Sequence, residues 1–505
     1  MTTTTPDASP AASTATTFDS LNPATGDVIA SYPVHTDDEV REAVERAHVA
    51  AAWWGGLTFD ERAKRLRAWK GVIARRLPEL AQVVHVENGK PFDDAVLEIV
   101  LAIDHIEWAA KNAKRVLGRR SVSSGMLMMN QKATLEYQPF GVVGVIGPWN
   151  YPVFTPMGSL AYALSGGNAV VFKPSEYTPG VGAWLVDAFN EAVTDGPAGA
   201  PVLQLLTGLG ATGAALCRAN VGKIAFTGSA ATGRRVMAAC AENLTPVLME
   251  CGGKDALIVD ADADVEAAAD AALWGGMSNA GQTCIGTERV YVVDAVYDRF
   301  VERLTSLAAD VTAGSGDKAS YGPMTMPAQL AIVKRHIDDA LAKGGRAVVG
   351  GADSVTDRYV EPVILLDVPE DSTAITEETF GPTIVVNRVR DADEAVERAN
   401  ATGYGLAAAV FARKRGVELA HKMRSGMASV NGVLSFAGIP GLPFGGVGES
   451  GFGRIHGDDG LREFTRAKAV ASQRFPLPVN LLSFTRDERI MPIVVKAMGL
   501  LHGRS

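Results

Sequence analysis

Cys284 closes the segment Gly281-Gln282-Thr283-Cys284. It lies 34 residues after Glu250 in Glu250-Cys251-Gly252-Gly253-Lys254 and 134 residues after Asn150 in Pro148-Trp149-Asn150-Tyr151-Pro152. The trio supplies a thiol, a carboxylate and an amide donor. A thiolate is the best nucleophile the side chains offer near neutral pH, and its attack on a carbonyl creates an oxyanion that a neutral donor such as Asn150 can stabilise. The covalent adduct must then be hydrolysed, which needs a base, and Glu250 can serve. A lone cysteine is more often a small apolar filler, which suits Cys217 and Cys240 on their helical patterns. Cys284 differs because it follows small residues, Asn279-Ala280-Gly281, that would let a substrate approach.

Such a trio needs a large scaffold. The 505 residues correspond to roughly three domain-sized units. Hydrophobic residues at 47% and charged residues at 21% describe an ordinary globular enzyme. A net charge of −9 argues against nucleic acid as a main partner, since phosphate binding needs a basic face. The 4 cysteines are too few and too scattered for a disulfide framework, which favours a reducing cytoplasm. The 8 histidines are dispersed and no HExxH or CxxC occurs, so no catalytic metal is expected. Residues 1–17 are rich in Thr, Ala, Ser and Pro, with no basic or apolar signal segment, and read as a disordered arm. The tail, residues 478–505, holds a mostly apolar run from Ile490 to Leu501, broken by Pro492 and Lys496. The run falls far short of the roughly 20 residues that span a bilayer. A short helix packed on a neighbouring subunit is the favoured reading there; a weak peripheral membrane contact aided by Arg486, Arg489 and Lys496 is the alternative.

Between these ends, strand and helix patterns alternate. Thr36 with Glu39 and Thr58 with Glu61 form capping boxes that open helices, and three helices fill roughly residues 37 to 118. Short apolar runs follow at Val142 to Ile146, Ala169 to Phe172, Val202 to Leu206 and Lys223 to Phe226, each ahead of Gly, Ser or Thr and a helical pattern. This is the pattern of a parallel, doubly wound sheet. A second series, Ala256 to Val259, Val290 to Val293, Ile384 to Val386, Ala408 to Phe411 and Ala428 to Val430, repeats it. The fold class is therefore α/β with two doubly wound domains. Residues 121–138 interrupt the alternation with loosely alternating apolar and polar residues and no partner helix. Gly208-Leu209-Gly210-Ala211-Thr212-Gly213 fits GxGxxG between a strand and a helix, a weak signal because glycine is common in such turns.

With these motifs in place, the chain strongly resembles the NAD(P)-dependent aldehyde dehydrogenase superfamily from about residue 18 to about residue 475. The resemblance implies that Cys284 attacks the aldehyde, that Asn150 and the Cys284 backbone amide hold the oxyanion, and that hydride leaves for the nicotinamide. Glu250 then deprotonates the water that hydrolyses the thioester. Phe226-Thr227-Gly228-Ser229, ending at Gly233, is similar to the family's phosphate-side turn, with Gly208 and Gly210 near the adenosine. Lys173, Ser175 and Glu176 match its ribose-binding turn, and Pro148 and Trp149 join the cofactor residues. Glu176 would repel a 2′-phosphate, so NAD is the expected cofactor, with NADP as the alternative. Glu378 matches the residue that hydrogen-bonds the nicotinamide ribose, and Phe380 the ring beside the nicotinamide. Structural roles compete for some of these residues: an ion pair for Glu250 with Lys254, a solvated surface pair for Lys173 with Glu176, and ordinary core for Phe380.

The same resemblance implies an NAD-binding domain over residues 18–120 and 139–251 and a catalytic domain over 252–447. Residues 121–138 and 448–477 then form an oligomerisation arm and bridging segment. An arm of this kind cannot bury its own apolar face, so a homodimer or homotetramer is expected. The stretches that line the family's entry tunnel, here Tyr151 to Phe172, Asp270 to Gln282 and Gly432 to Pro443, contain no Lys or Arg to clamp a carboxylated semialdehyde. Trp149, Phe154, Met157, Trp274, Met277 and Phe436 instead suggest an apolar tunnel for aliphatic or aromatic aldehydes, or else belong to the core. Val430 to Ser435, and Pro443 to Gly448 through His456-Gly457, are similar to the broad-specificity and fatty-aldehyde branch, with succinate-semialdehyde-type enzymes the runner-up. A coenzyme A-acylating relative would commonly lack the base, and a non-catalytic structural relative would have lost thiol or base; both groups are retained here. Cys251 stands where the family usually has leucine. It is a silent apolar substitution or, under oxidation, a disulfide partner of Cys284.

Overall fold

The computed structural model describes residues 16–316, 318–477, 481 and 483–503. The disordered arm expected over residues 1–17 lies outside them apart from Thr16 and Thr17, and Thr17 already opens a strand. The chain divides into a larger unit, Met1–Leu117 with Gln138–Arg466, and a smaller one, Gly118–Tyr137 with Ala467–Ser505.

The larger unit opens with the antiparallel pair β1 (Thr17–Leu21) and β2 (Val28–Pro33). Four helices follow where three were expected: α1 (Asp37–Gly56), α2 (Phe59–Arg75), α3 (Leu77–Asn88) and α4 (Phe92–Leu117). The extra break comes from Arg76-Leu77-Pro78, where proline sits in the first turn of α3 and stops α2 from continuing. Both expected capping boxes are present, at Thr36 with Glu39 and at Thr58 with Glu61.

After β3 (Arg120–Val122) and β4 (Gln131–Pro139) the first doubly wound sheet begins. It runs β5 (Val142–Ile146), α5 (Phe154–Ser165), β6 (Ala169–Lys173), α6 (Pro179–Ala192) and β7 (Leu203–Leu205). It continues with α7 (Gly210–Arg218), β8 (Lys223–Thr227), α8 (Ala230–Ala241) and β9 (Val247–Glu250). The order β9-β8-β5-β6-β7 reverses direction at β5, so the crevice of an open α/β sheet falls at the carboxyl ends of β5 and β8. Register aligns that edge: Ile146 faces Lys173 on one side and Phe226 on the other, and Thr227 faces Glu250.

The second sheet is built from β10 (Ala256–Val259), α9 (Val265–Met277), β11 (Arg289–Val293), α10 (Asp294–Ala308) and α11 (Pro327–Ala342). Then come β12 (Arg346–Val349), β13 (Val363–Leu366), α12 (Thr373–Thr376), β14 (Thr383–Val389), α13 (Ala392–Ala399), β15 (Ala408–Phe411), α14 (Gly416–Lys422) and β16 (Ser429–Val430). Its order is β12-β13-β14-β11-β10-β15-β16. The strands β9, β12 and β13 escaped the sequence pattern because β9 runs straight into β10, and β12 into β13, without an intervening α-helix. Short β17 (Gly451–Phe452) pairs antiparallel with β9, setting Gly451 opposite Glu250, and α15 (Gly457–Glu463) follows. Leu257, Val290, Val292, Ile364 and Phe300 are wholly or almost wholly buried in the core of the second domain.

In the smaller unit, β18 (Thr465–Gln473) completes a three-stranded sheet of order β18-β4-β3, so the expected strand pair gains a third member. The tail forms α16 (Ile490–His502), with no residue buried. Among the described residues no helix is long and apolar enough to cross a membrane.

Candidate active site

The loop carrying Cys284 is shaped by backbone. After α9, Asn279, Ala280 and Gly281 take φ of +54°, +56° and +69°, three successive left-handed residues that turn the chain back on itself. Only glycine fits at 281, because a Cβ there would lie 2.2 Å from the Gly381 carbonyl. The turn sets Cys284 against Gly253, whose missing Cβ would lie 2.7 Å from the Cys284 carbonyl oxygen. Thr283 and Ile285 are buried, whereas Cys284 is partly exposed. Burial pushes its thiol above the ordinary range; Glu378, Asp255 and Glu250 push it further, while the Ile285 N–H opposes them. The Cys284 N–H has no protein acceptor among the described residues.

Asn150 is buried beside this loop, and its Nδ2 donates to the Gln282 carbonyl at 2.9 Å. Asn279 Nδ2 bridges the two segments, reaching the Asn150 carbonyl at 3.0 Å and the Gln282 carbonyl at 3.2 Å. Tyr151 Oη lies 3.0 Å from Thr283 Oγ1. Gln282 is itself locked: its Oε1 accepts from Thr325 N–H at 2.8 Å and its Nε2 donates to the Asn279 carbonyl at 2.9 Å.

Glu250 ends β9 with its side chain 2% exposed, and neither carboxylate oxygen has a hydrogen-bond partner among the described residues. Desolvation holds this carboxyl well above the usual range; Arg454 opposes the shift and Glu463 adds to it. Gly445 makes the room, since a Cβ there would stand 2.6 Å from Glu250 Oε1. The ion pair entertained for Glu250 with Lys254 does not form: Lys254 is paired with Glu288 instead, and its Nζ also donates to Thr379 Oγ1 at 3.0 Å. Glu288 accepts from the Thr379 and Phe380 N–H groups at 2.9 Å each, so the buried pair fixes the segment that carries Glu378 and Phe380. Glu378 Oε1 accepts from Gly253 N–H at 2.9 Å. Burial pushes its carboxyl up to about 8, helped by neighbouring Glu288. The Phe380 ring stands edge-on to Trp149, centroids 5.6 Å apart, which brings together two residues separated in sequence.

The remaining cofactor candidates line the carboxyl edge of the first sheet. Gly147 N–H donates to the Lys173 carbonyl at 3.0 Å, placing Pro148 and Trp149 next to the end of β6. The solvated surface pair is ruled out for Lys173, which is 4% exposed with Nζ donating to the Pro174 carbonyl at 3.2 Å. Ser175 Oγ donates to Glu176 Oε2 at 3.2 Å. Beyond β8, Gly228 N–H donates to the Glu250 carbonyl, Gly228 accommodates the Phe226 ring, and Ser229 caps α8 by accepting from Thr232 N–H. Gly233 lies inside α8, where a Cβ would meet Cys251 Sγ at 3.2 Å, so Cys251 packs towards that helix. Burial pushes the Cys251 thiol up to about 11. Gly208 and Gly210 lie past β7, two strands from β5 at the edge of the sheet; a Cβ at Gly210 would enter open space. Neither α7 nor α8 has an acid in its first turn, and both begin at this edge. Free N–H groups without a repelling carboxylate suit an anionic ligand such as a dinucleotide pyrophosphate.

Sequence reasoning passed over Asn88, Lys90, Glu98, Gln282 and Glu288, all buried around these groups. The one local signal was Asn88-Gly89-Lys90-Pro91, a helix stop with Gly89 at φ +88° that puts a lysine at the end of an apolar helix.

The model of the aldehyde dehydrogenase family matches residues 10–470. A 4,4′-diapolycopene aldehyde oxidase of Methylomonas sp is 37% identical over 92% of this chain and 87% of its own length. A succinate-semialdehyde dehydrogenase of Escherichia coli, named for NADP(+), is 36% identical over 89% of this chain and 93% of its own length. The solved lactaldehyde dehydrogenase from Escherichia coli matches with a TM-score of 0.86 and 31% identity, covering 90% of this chain and 96% of that one.

Proposed function

The chain belongs to the aldehyde dehydrogenase family, and from that premise we propose that it oxidises apolar aldehydes with NAD, using Cys284 as nucleophile and Glu250 as base. The observation that carries this reading is the Glu250 carboxylate, desolvated, without a hydrogen-bond partner among the described residues and near enough to raise the Cys284 thiol. A base must be able to take up and release a proton near neutrality, and burial moves a carboxylate towards that range.

Lys173, Ser175 and Glu176 would hold the adenosine ribose, Gly228, Ser229 and Gly233 the phosphates, Gly208 and Gly210 the adenosine side, and Glu378 the second ribose. Bound there, the nicotinamide supplies the hydride acceptor. Cys284 releases its proton to solvent and the thiolate adds to the aldehyde carbon while Asn150 Nδ2 and the Cys284 N–H donate to the oxyanion. Trp149 and Phe380, whose rings meet edge-on, would flank the nicotinamide beside Pro148. Once the aldehyde hydrogen has left as hydride, a thioester remains on Cys284. Glu250 takes a proton from water, the resulting hydroxide attacks the thioester carbon, the C–S bond breaks, and the acid departs. Glu176 favours NAD over NADP because its carboxylate would oppose a 2′-phosphate.

Substrate class is read from the absence of cations in the candidate tunnel stretches. The stretches Tyr151 to Phe172, Asp270 to Gln282 and Gly432 to Pro443 carry no Lys or Arg, which supports an apolar aldehyde; Met277 belongs to the core of the second sheet and Trp274 is exposed. A semialdehyde is the second reading, favoured by relatives named for glutarate semialdehyde and succinate semialdehyde at 36% identity. Reduction of NAD and of NADP is measured with hexanal, benzaldehyde and succinate semialdehyde. We expect the highest kcat/KM with NAD and an apolar aldehyde; preference for succinate semialdehyde or for NADP would overturn that part. The arm strands β3, β4 and β18, with Leu127 60% and Met129 56% exposed in the connection between β3 and β4, support a homodimer or homotetramer, read from the sedimentation mass.

A further inference from the structure

Lys90 and Glu98 form an ion pair, Nζ to Oε2 2.5 Å, with both side chains 0% exposed. Taking two charges out of water is costly, and apolar replacements of such pairs are often neutral or better for stability. Stability alone therefore gives no reason for this pair, but its surroundings do. The Lys90 ammonium also donates to the Asn150 carbonyl at 2.9 Å and sits 4.0 Å over the centre of the Tyr151 ring. Asn279 holds the same carbonyl from the other segment at 3.0 Å. Glu98 uses its second oxygen, Oε1, to accept from the Val153 and Phe154 N–H groups at 2.7 and 3.0 Å. One buried pair thus grips both ends of the turn from Asn150 to Phe154, which meets the Cys284 loop through the Asn150 amide at the Gln282 carbonyl and through Tyr151 Oη at Thr283 Oγ1.

We propose that the Lys90–Glu98 pair is a positioning device for the reaction: it holds the Asn150 amide where the oxyanion forms, and its ammonium adds positive potential behind that amide. The inference rests on the reading of Asn150 as the oxyanion donor. Lys90 does not touch the reacting atoms; it acts through Asn150. Preorganised donors matter because they need not move as charge develops, and a displacement of about 1 Å can cost a hundredfold in rate.

The experiment compares Lys90→Met, Glu98→Gln, the double variant Lys90→Met/Glu98→Leu, and Asn150→Ala in the full chain. For each, Tm, kcat per folded site titrated with NAD, KM for NAD, and the rate of Cys284 alkylation by iodoacetamide are measured. The single variants, each leaving one charge uncompensated, lose both Tm and kcat. The double variant regains most of the Tm, yet its kcat stays down roughly tenfold to a hundredfold, with KM for NAD and alkylation unchanged. A double variant with wild-type kcat overturns the proposal, because a purely structural pair would return activity together with Tm. Should the double variant not fold, Glu98→Gln decides, since it keeps two polar atoms in place: a kcat loss of several-fold supports positioning, and wild-type kcat overturns it. If Asn150→Ala itself retains full kcat, the oxyanion reading falls and takes this one with it; a collapse there beside intact Lys90 and Glu98 variants rejects the positioning role alone.

Discussion

Buried charge around Cys284 comes in two kinds. Lys90 with Glu98 and Lys254 with Glu288 are ion-paired, and their spare donors and acceptors are spent on the Asn150 carbonyl, the Val153 and Phe154 amides, the Thr379 hydroxyl and the Thr379 and Phe380 amides. Glu250 and Glu378, by contrast, lie at the carboxyl end of β9 and opposite Gly253, with no cation bound to either among the described residues. Both carboxyls are raised, and together with Asp255 they raise the Cys284 thiol. The contrast teaches which groups are scaffold and which can exchange protons. A satisfied pair fixes the backbone that it grips; a carboxylate without a cation can change its protonation state.

The comparison breaks most decisively at the sulfur. Cys284→Ala should abolish NAD reduction while leaving the dissociation constant for NAD, read by fluorescence titration, unchanged; residual turnover would remove Cys284 from the reaction. Glu250→Gln removes the proton acceptor alone, so stopped-flow absorbance should show a full burst of NADH followed by a steady rate lower by roughly 10²–10⁴-fold. Since the Glu250 carboxyl is raised, the wild-type steady rate should climb with pH as it ionises, and that climb should vanish in the variant.

On the paired side the expected loss is stability. Glu288→Gln strands the Lys254 ammonium in a buried site, which should cost about 3–5 kcal/mol of unfolding free energy in a urea titration. A loss below about 1 kcal/mol would erase the distinction between the two kinds of charge.

The smallest effect sharpens the rule by an exception. His105 and His456 pack with ring centroids 3.7 Å apart and planes tilted by 36°, and three of their four ring nitrogens lack partners among the described residues, yet neither adjoins the thiol segment in sequence. Desolvation lowers the His105 pKa from 6.5 to about 4. The unfolded chain therefore takes up protons first as the pH falls, so the stability held above pH 6.5 drains away towards pH 4. In His105→Phe the loss of unfolding free energy between pH 6.5 and 5 should shrink by about 2 kcal/mol relative to wild type. An unchanged pH slope would mean that this imidazole is not held neutral by the fold.

Much of the first sheet was legible because β5, β6 and β8 are apolar runs divided by helical patterns, a local signal. Strands joined without a helix, β9 and the β12–β13 pair, left no such punctuation. The candidate thiol, carboxylate and amide were legible from their motifs. Lys90 and Glu98 were not, because a lysine and a glutamate 8 residues apart read as ordinary surface charge until the fold shows both wholly buried. Lys254 was assigned the wrong possible partner for the same reason: Glu250 is near it in sequence, but Glu288 on the neighbouring loop reaches it in space.

What the sequence determined by itself was local chemistry: which side chains could attack, donate or accept a proton, and where helices start, since capping boxes and apolar runs act over a few residues. Which charges are paired, which carboxylates lack a cation, and which carbonyl the Asn150 amide meets were decided only by tertiary structure. Desolvation and hydrogen bonding depend on what surrounds a group from every side, and those neighbours come from segments far apart in sequence, 237 residues in the case of Asn88 and Thr325 beside the Asn150 turn.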